Sequence, residues 1–274
     1  MALKRRHFEK GELLLTLREK AVTIPWLVRR CAACGAVLGT EKILCSECYE
    51  RYREERLWEC GTCGRQLSEC TCVPPYLETA SVHKLLKLLR YRVDMPSSVD
   101  NSIVYRLKNV PLWRVHQFFA EELVGLLERL SPDDSYVLTH VPRTVKQRWL
   151  YGFDQSECLA RALSVRSGVP FFSLLVRKRT GTVQKGLSGL ALRAANVKGA
   201  FCPADTEFSL RGKRVLLVDD IVTTGASMAE CARVLRRMGA REVIGVALTV
   251  SYRHPNIKYE HEANTHEERF YPKR

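Results

Sequence analysis

Val215-Leu216-Leu217-Val218-Asp219-Asp220-Ile221-Val222-Thr223-Thr224-Gly225-Ala226-Ser227 is the stretch that decides the fold. The four apolar residues from Val215 to Val218 predict a short buried strand, with Asp219 and Asp220 at its end. A small hydroxyl-rich turn follows, Thr223 to Ser227. Met228, Cys231, Val234, Leu235 and Met238 then repeat at helical spacing as far as Gly239. This order puts the turn at a helix N-terminus, where unpaired N–H groups and the helix dipole favour a phosphate. Gly225 lets the backbone approach the anion, and Thr223, Thr224 and Ser227 add hydroxyl donors. Two carboxylates would repel a bare phosphate. They suit a ligand that also carries sugar hydroxyls or a bridging cation.

Working outward, strands alternate with helices. Tyr136 to Val141 reads as a strand running into Val141-Pro142-Arg143, and Gln155 to Ser167 as a helix. Glu242 to Ser251 reads as a last strand, and Leu112 to Leu130 as a helix with Phe118, Phe119, Leu123, Leu126 and Leu127 on its apolar stripe. Val82, Leu85, Leu86, Leu88 and Leu89 predict a basic amphipathic helix over 82–93, and the stretch from Asp94 to Asn101 predicts a break. Glu9 to Lys20 has a helical pattern. Residues 177–200 are rich in glycine and cations and read as a mobile basic loop. The alternation predicts an α/β fold with a mostly parallel sheet.

At 274 residues the chain can bury a sizeable core. No apolar run reaches the roughly 18 residues of a membrane span, so no membrane insertion is expected. No secretion signal is legible, which makes the cytoplasm the expected location. The formal charge is +14, and residues 141–200 hold eleven Lys and Arg against two acids. Such a field attracts phosphates, from pyrophosphate to a nucleic-acid backbone; a solubilising surface is the plainer alternative.

Eight of the eleven cysteines lie between Cys31 and Cys72, and in a reducing compartment that clustering points to metal. They fall as Cys31-x-x-Cys34, Cys45-x-x-Cys48, Cys60-x-x-Cys63 and Cys70-x-Cys72. Two Cys-x-x-Cys turns make the closed four-sulfur set of a structural zinc site. Sequential grouping gives Cys31, Cys34, Cys45, Cys48 and then Cys60, Cys63, Cys70, Cys72; an interleaved grouping is the alternative. One or two structural zinc ions are expected. The module is too small to stand on its own core, so zinc would supply much of its folding energy locally.

The 215–227 stretch resembles the signature loop of the type I phosphoribosyltransferases. The resemblance implies binding of phosphoribosyl pyrophosphate (PRPP) with magnesium. Asp219 and Asp220 would hold the ribose hydroxyls, and Thr223 to Ser227 the 5′-phosphate. Three further segments sharpen it: Gly152-Phe153-Asp154-Gln155 behind Val141-Pro142-Arg143, then Gln184-Lys185-Gly186-Leu187-Ser188, then Arg193-Ala194-Ala195-Asn196 before Gly199-Ala200-Phe201. With the cysteine module in front, this order resembles the ComF family, which joins a double zinc ribbon to a phosphoribosyltransferase-like domain. Tyr151 and Asp154 stand where that family usually has Arg and Asn.

The resemblance implies four parts: an N-terminal extension (1–25), a zinc module (26–75), a phosphoribosyltransferase-like domain (76–254) and a polar tail (255–274). It implies a pyrophosphate loop at Val141, Pro142 and Arg143. It also implies a flexible loop carrying Gln184, Lys185, Arg193 and Asn196. The expected function is PRPP binding with single-stranded DNA handling in DNA uptake and natural transformation, beside a competence helicase or other DNA-processing partner. On that reading Tyr49, Tyr52 and Trp58 would stack on the strand, or else pack the zinc module. The alternative is an enzyme that transfers phosphoribosyl from PRPP to a nucleobase-like acceptor, with Asp219 and Asp220 as its candidate catalytic residues.

Overall fold

A computed structural model of the chain describes residues 29–39, 41–92, 98–109, 113–131, 135–178 and 197–252. The expected helix from Glu9 to Lys20, the polar tail, and Gln184, Lys185, Arg193 and Asn196 lie outside the described residues.

Four parallel strands form the central sheet: β1 (Leu85–Arg92), β2 (Tyr136–His140), β5 (Arg214–Val222) and β6 (Glu242–Tyr252), in the order β1-β6-β5-β2. The short β3 (Leu175–Arg177) and β4 (Phe201–Pro203) pair antiparallel beside it. Side chains of a strand alternate between faces, so each strand feeds two apolar layers. Leu138, Leu216, Val218, Ile244 and Val246 face one layer; Val137, Val215, Leu217, Val243 and Ala247 face the other. On the first face pack α4 (Trp113–Leu127) and α6 (Gln155–Ser167); on the second packs α7 (Ala226–Arg237). Three layers around a parallel sheet are what buried, near-continuous apolar strands require.

The expected helix over 82–93 is a strand. Leu85-Leu86-x-Leu88-Leu89 satisfies a helical stripe, but both faces of β1 are covered, and Lys87 and Arg90 are buried. Their charges end on backbone oxygens of the cysteine module: the Lys87 Nζ donates to the Cys72 carbonyl (2.6 Å), and the Arg90 guanidinium to the Glu59 carbonyl. The expected break at 94–101 also ends early. Ser98 Oγ accepts from Asn101 N (3.1 Å), and α3 (Val99–Asn109) begins directly.

The cysteine module is not set apart. Its helix α1 (Ser46–Arg56) puts Tyr52 against the rings of Phe118 and Phe119, at centroid distances of 6.0 and 6.1 Å. Tyr52 is therefore core packing, not an exposed stacking ring. Glu55 caps α3, accepting from Val99 N and Asp100 N at 3.0 Å each. Cys31, Ala33, Leu44 and Cys48 belong to the same apolar cluster as Leu86, Phe119, Leu138 and Val218.

Candidate functional site

The strand β2 leads to helices on one face of the sheet and its neighbour β5 to α7 on the other. Ligands of open α/β sheets bind in the crevice beyond the strands' carboxyl ends, where the connections part in this way. Asp219 and Asp220 lie within the last turns of β5, which runs on to Val222, rather than beyond its end. Gly225 caps α7 with φ +79°, and a Cβ there would stand 3.0 Å from Cγ of the buried Leu77. A left-handed backbone and a side chain beneath it both demand glycine at this position. Leu77 lies on the single-turn α2 (Pro75–Glu78), directly after the cysteine module. Thr224 Oγ1 accepts from Ala226 N (3.3 Å), while Ser227 and Met228 begin the helix, where N–H groups lack intrahelical acceptors. The turn opens on a cavity of about 260 Å³ lined by Asp219, residues 221–228, Val197 and Arg177.

The loop after β2 and the start of α6 supply the partners of the two acids. Arg143 donates from its guanidinium to Asp220 Oδ2 (2.7 Å), and this pair is mostly buried. Asp154 caps α6 and also accepts from Arg143 N (2.9 Å), so the residue at the usual Asn position ties the Val141-Pro142-Arg143 loop to a helix. Ser156 Oγ donates to Asp219 Oδ1 (2.9 Å) and lies 3.3 Å from Asp220 Oδ1; it also accepts from Asp220 N (3.2 Å). Burial, and next the charge of Asp220, hold the Asp219 carboxyl well above the usual carboxylate range. Two carboxylates this close share their protons poorly with solvent, an arrangement typical of a site made for hydroxyl donors or a cation. His140, at the end of β2, is buried, and burial lowers its basicity despite the nearby Asp154 and Glu157 charges.

Sequence reasoning missed two residues here. Ser156 carries no pattern; only the fold brings it to the acids. Arg177, at the end of β3, was grouped with the basic loop. Its guanidinium lies 5.1 Å over the Phe201 ring and lines the cavity; its Nε is buried without a hydrogen-bond partner, and burial lowers its pKa. A cation placed so is ready for an anionic ligand.

The eight cysteines gather in the sequential grouping. In each group of four, one ligand atom per residue lies within 4.8 Å of all the others. Cys34 and Cys45 sulfurs stand 3.8 Å apart, matching the edge of about 3.8 Å that a tetrahedron with Zn–S of about 2.3 Å demands. Backbone N–H groups of Ala36, Cys45, Cys48 and Thr62 point at cysteine sulfurs, at 3.4 to 3.5 Å. Burial opposes ionisation of Cys31, but the N–H groups of Cys45, Cys34 and Ala33 outweigh it and bring the thiol to about 7. Either cluster could hold a metal ion.

Residues 154–272 match the family described as phosphoribosyl transferase domain. The chain is 29% identical over 214 residues to the DNA utilization protein YhgH of Escherichia coli, covering 78% of this chain and 86% of that one. It is 26% identical over 227 residues to Competence protein F of Haemophilus influenzae, covering 78% and 93%. Over most of its length the chain is thus similar to proteins named for DNA utilization and competence. A solved hypoxanthine phosphoribosyltransferase from Staphylococcus aureus is 16% identical, covering 54% of this chain and 69% of that one, with a TM-score of 0.34. The chain joins a type I phosphoribosyltransferase fold to an N-terminal region with two four-cysteine clusters. None of its described helices is long and apolar enough to cross a membrane.

Proposed function

We propose that this protein binds PRPP with magnesium at the β5–α7 turn, handles single-stranded DNA, and serves DNA uptake of the natural-transformation kind. The observation that carries the PRPP reading is Asp219 lining one cavity with the helix-start turn and Arg177, and tied through Ser156 Oγ to Asp220. Asp219 and Asp220 accept the ribose hydroxyls, the turn from Thr223 to Ser227 takes the 5′-phosphate, and Arg143 faces the pyrophosphate. Magnesium supplies charge neutralisation on the pyrophosphate. The Arg143–Asp220 pair of the free protein is exchanged for ligand contacts, which keeps Asp220 satisfied in both states. Gln184, Lys185, Arg193 and Asn196 belong to the covering loop in this reading. Two structural zinc ions hold the cysteine clusters. The DNA part rests on the basic field around the site and on the relatives named for DNA utilization and competence.

The second reading is phosphoribosyl transfer. An acceptor nitrogen bonds to C1 of the ribose, pyrophosphate leaves with the electron pair, and the acceptor loses its proton to solvent. Asp219 and Asp220 would then hold the ribose as C1 gains positive character. The raised carboxyl of Asp219 favours neither reading over the other, since both need the same acid pair.

Calorimetry with PRPP and magnesium tests the site. Asp219→Asn together with Asp220→Asn is expected to abolish binding with the fold intact by circular dichroism. Equal affinity in the double variant would remove the assignment. Pyrophosphate release against a panel of nucleobases separates the enzyme from the binding protein.

A further inference from the structure

The seven-residue α5 (Val145–Tyr151) presents an apolar face that the phosphoribosyl site does not use. Trp149 is 84% exposed, Leu150 73% and Val145 52%. These are the three most exposed large apolar residues on the loop–helix connection between β2 and α6. Val145 and Trp149 stand four residues apart, hence on one side of the helix. A solvated indole of this size costs solubility and needs a reason. The helix itself is firmly set. Thr144 and Gln147 form a reciprocal capping box at its start, Gly152 closes it in a left-handed conformation, and Asp154 clamps Arg143 N just upstream. Arg143, immediately before the capping residue, is the side chain that reaches Asp220.

The surroundings select the partner. From Arg143 to Lys178 the chain carries seven Lys and Arg against two acids, and the two acids are committed within the fold: Asp154 to backbone N–H groups, Glu157 to Arg161. The Arg148 side chain is exposed beside Trp149. An aromatic face on a rigid helix within a positive field matches a single-stranded nucleic acid, whose bases stack while its phosphates meet the cations. An apolar protein partner would want the ring without the surrounding charge. We infer that Trp149, supported by Val145 and Leu150, is the platform on which a base of single-stranded nucleic acid stacks as the strand passes the mouth of the phosphoribosyl site. This rests on the DNA-handling reading and names its contact surface.

Fluorescence anisotropy with a labelled twelve-nucleotide deoxythymidine strand tests it, on the full chain with zinc. Trp149→Ala is expected to weaken binding about tenfold or more, the effect of losing one stacked base. The salt slope should stay as in the wild type, because no phosphate contact is removed. Trp149→Phe should keep most of the affinity, and PRPP titration should be unchanged in both variants. Unchanged strand affinity in Trp149→Ala overturns the platform and leaves the DNA reading standing. Loss of PRPP binding in that variant also overturns it, since the ring would then be structural. So would light scattering that shows a wild-type dimer split by the substitution, which would make the face a contact between copies. If the wild-type chain binds no strand at low salt, the DNA reading falls and the platform falls with it.

Discussion

Asp219 concentrates the conflict between stability and function in one residue. Its carboxyl is held above the ordinary range first by burial and then by the Asp220 charge. The folded state therefore holds that proton more tightly than the unfolded chain does. Its contribution to stability is full below the unfolded carboxylate range and is lost as pH rises through the folded value. Asp219→Asn keeps an oxygen for Ser156 Oγ and Asp220 N to donate to, and removes the charge. The variant is expected to melt higher than the wild type at pH 7.5, by about 2–4 °C for each kcal/mol of relieved repulsion. The gap should shrink as pH falls and close below the ordinary aspartate value of about 4, where Asp219 becomes protonated in both states. A lower melting temperature for the variant, or a gap independent of pH, would refute the argument. At this scale the sequence is legible where residue type alone states a chemical need: paired acids beside Thr-Thr-Gly have no packing role. It is silent about Ser156 and Arg177, whose meaning comes from neighbours 63 residues away, in the case of Ser156 and Asp219, and from a ring and cavity, in the case of Arg177.

The elements tell the same story with a different cause. β5, β6, α4 and α6 were legible because their apolar periods match one environment each: buried strand or one-sided helix. β1 was read as a helix because two leucine pairs, with Lys87 between them and Arg90 after them, fit an amphipathic stripe. What overrules the period is tertiary: the strand lies at the sheet's edge against β6, and its cations cap carbonyls 15 and 31 residues away. Leu85 N also donates to the Thr71 carbonyl (3.1 Å), so β1 is fastened directly to the Cys70-x-Cys72 segment. Lys87→Met removes the donor and leaves the Cys72 carbonyl short of a partner, a cost of about 1–3 kcal/mol. Zinc release to a chromogenic chelator should then show one faster phase, from the second cluster, with the other phase unchanged. Equal acceleration of both phases, or of neither, would mean that Lys87 does not hold the second cluster.

Across the whole molecule, the cysteine region and the sheet share one core. A reading from sequence expects a metal-stapled module whose loss is local, because about forty residues around structural zinc usually fold as a unit of their own. The structure places Cys31, Cys48 and Tyr52 in one apolar cluster with Phe119, Leu138 and Val218. Arg106 Nε donates to the Ala33 carbonyl (3.2 Å), Glu55 caps α3, and Arg56 pairs with Glu122 on α4. The second cluster is fixed to β1, and the chain leaving it places Leu77 under Gly225 of the phosphate turn. Metal lost from either cluster therefore loosens groups that the sheet and the turn depend on. Purified protein should hold two zinc ions per chain by elemental analysis. Stripping them should lower the melting temperature by about 10 °C or more, the effect of several kcal/mol in a chain of this size. Calorimetry should show one transition that moves as a whole, and PRPP affinity should fall as zinc is withdrawn. A melt that splits in two, with a zinc-insensitive step still raised by PRPP, would show instead that the phosphoribosyl domain keeps its fold without the cysteine clusters. Because the same core would then have to survive the loss of Tyr52 and Cys48 from its lining, that result would also demand a rearranged packing around Phe118 and Phe119, visible as altered protection of α4 in hydrogen exchange.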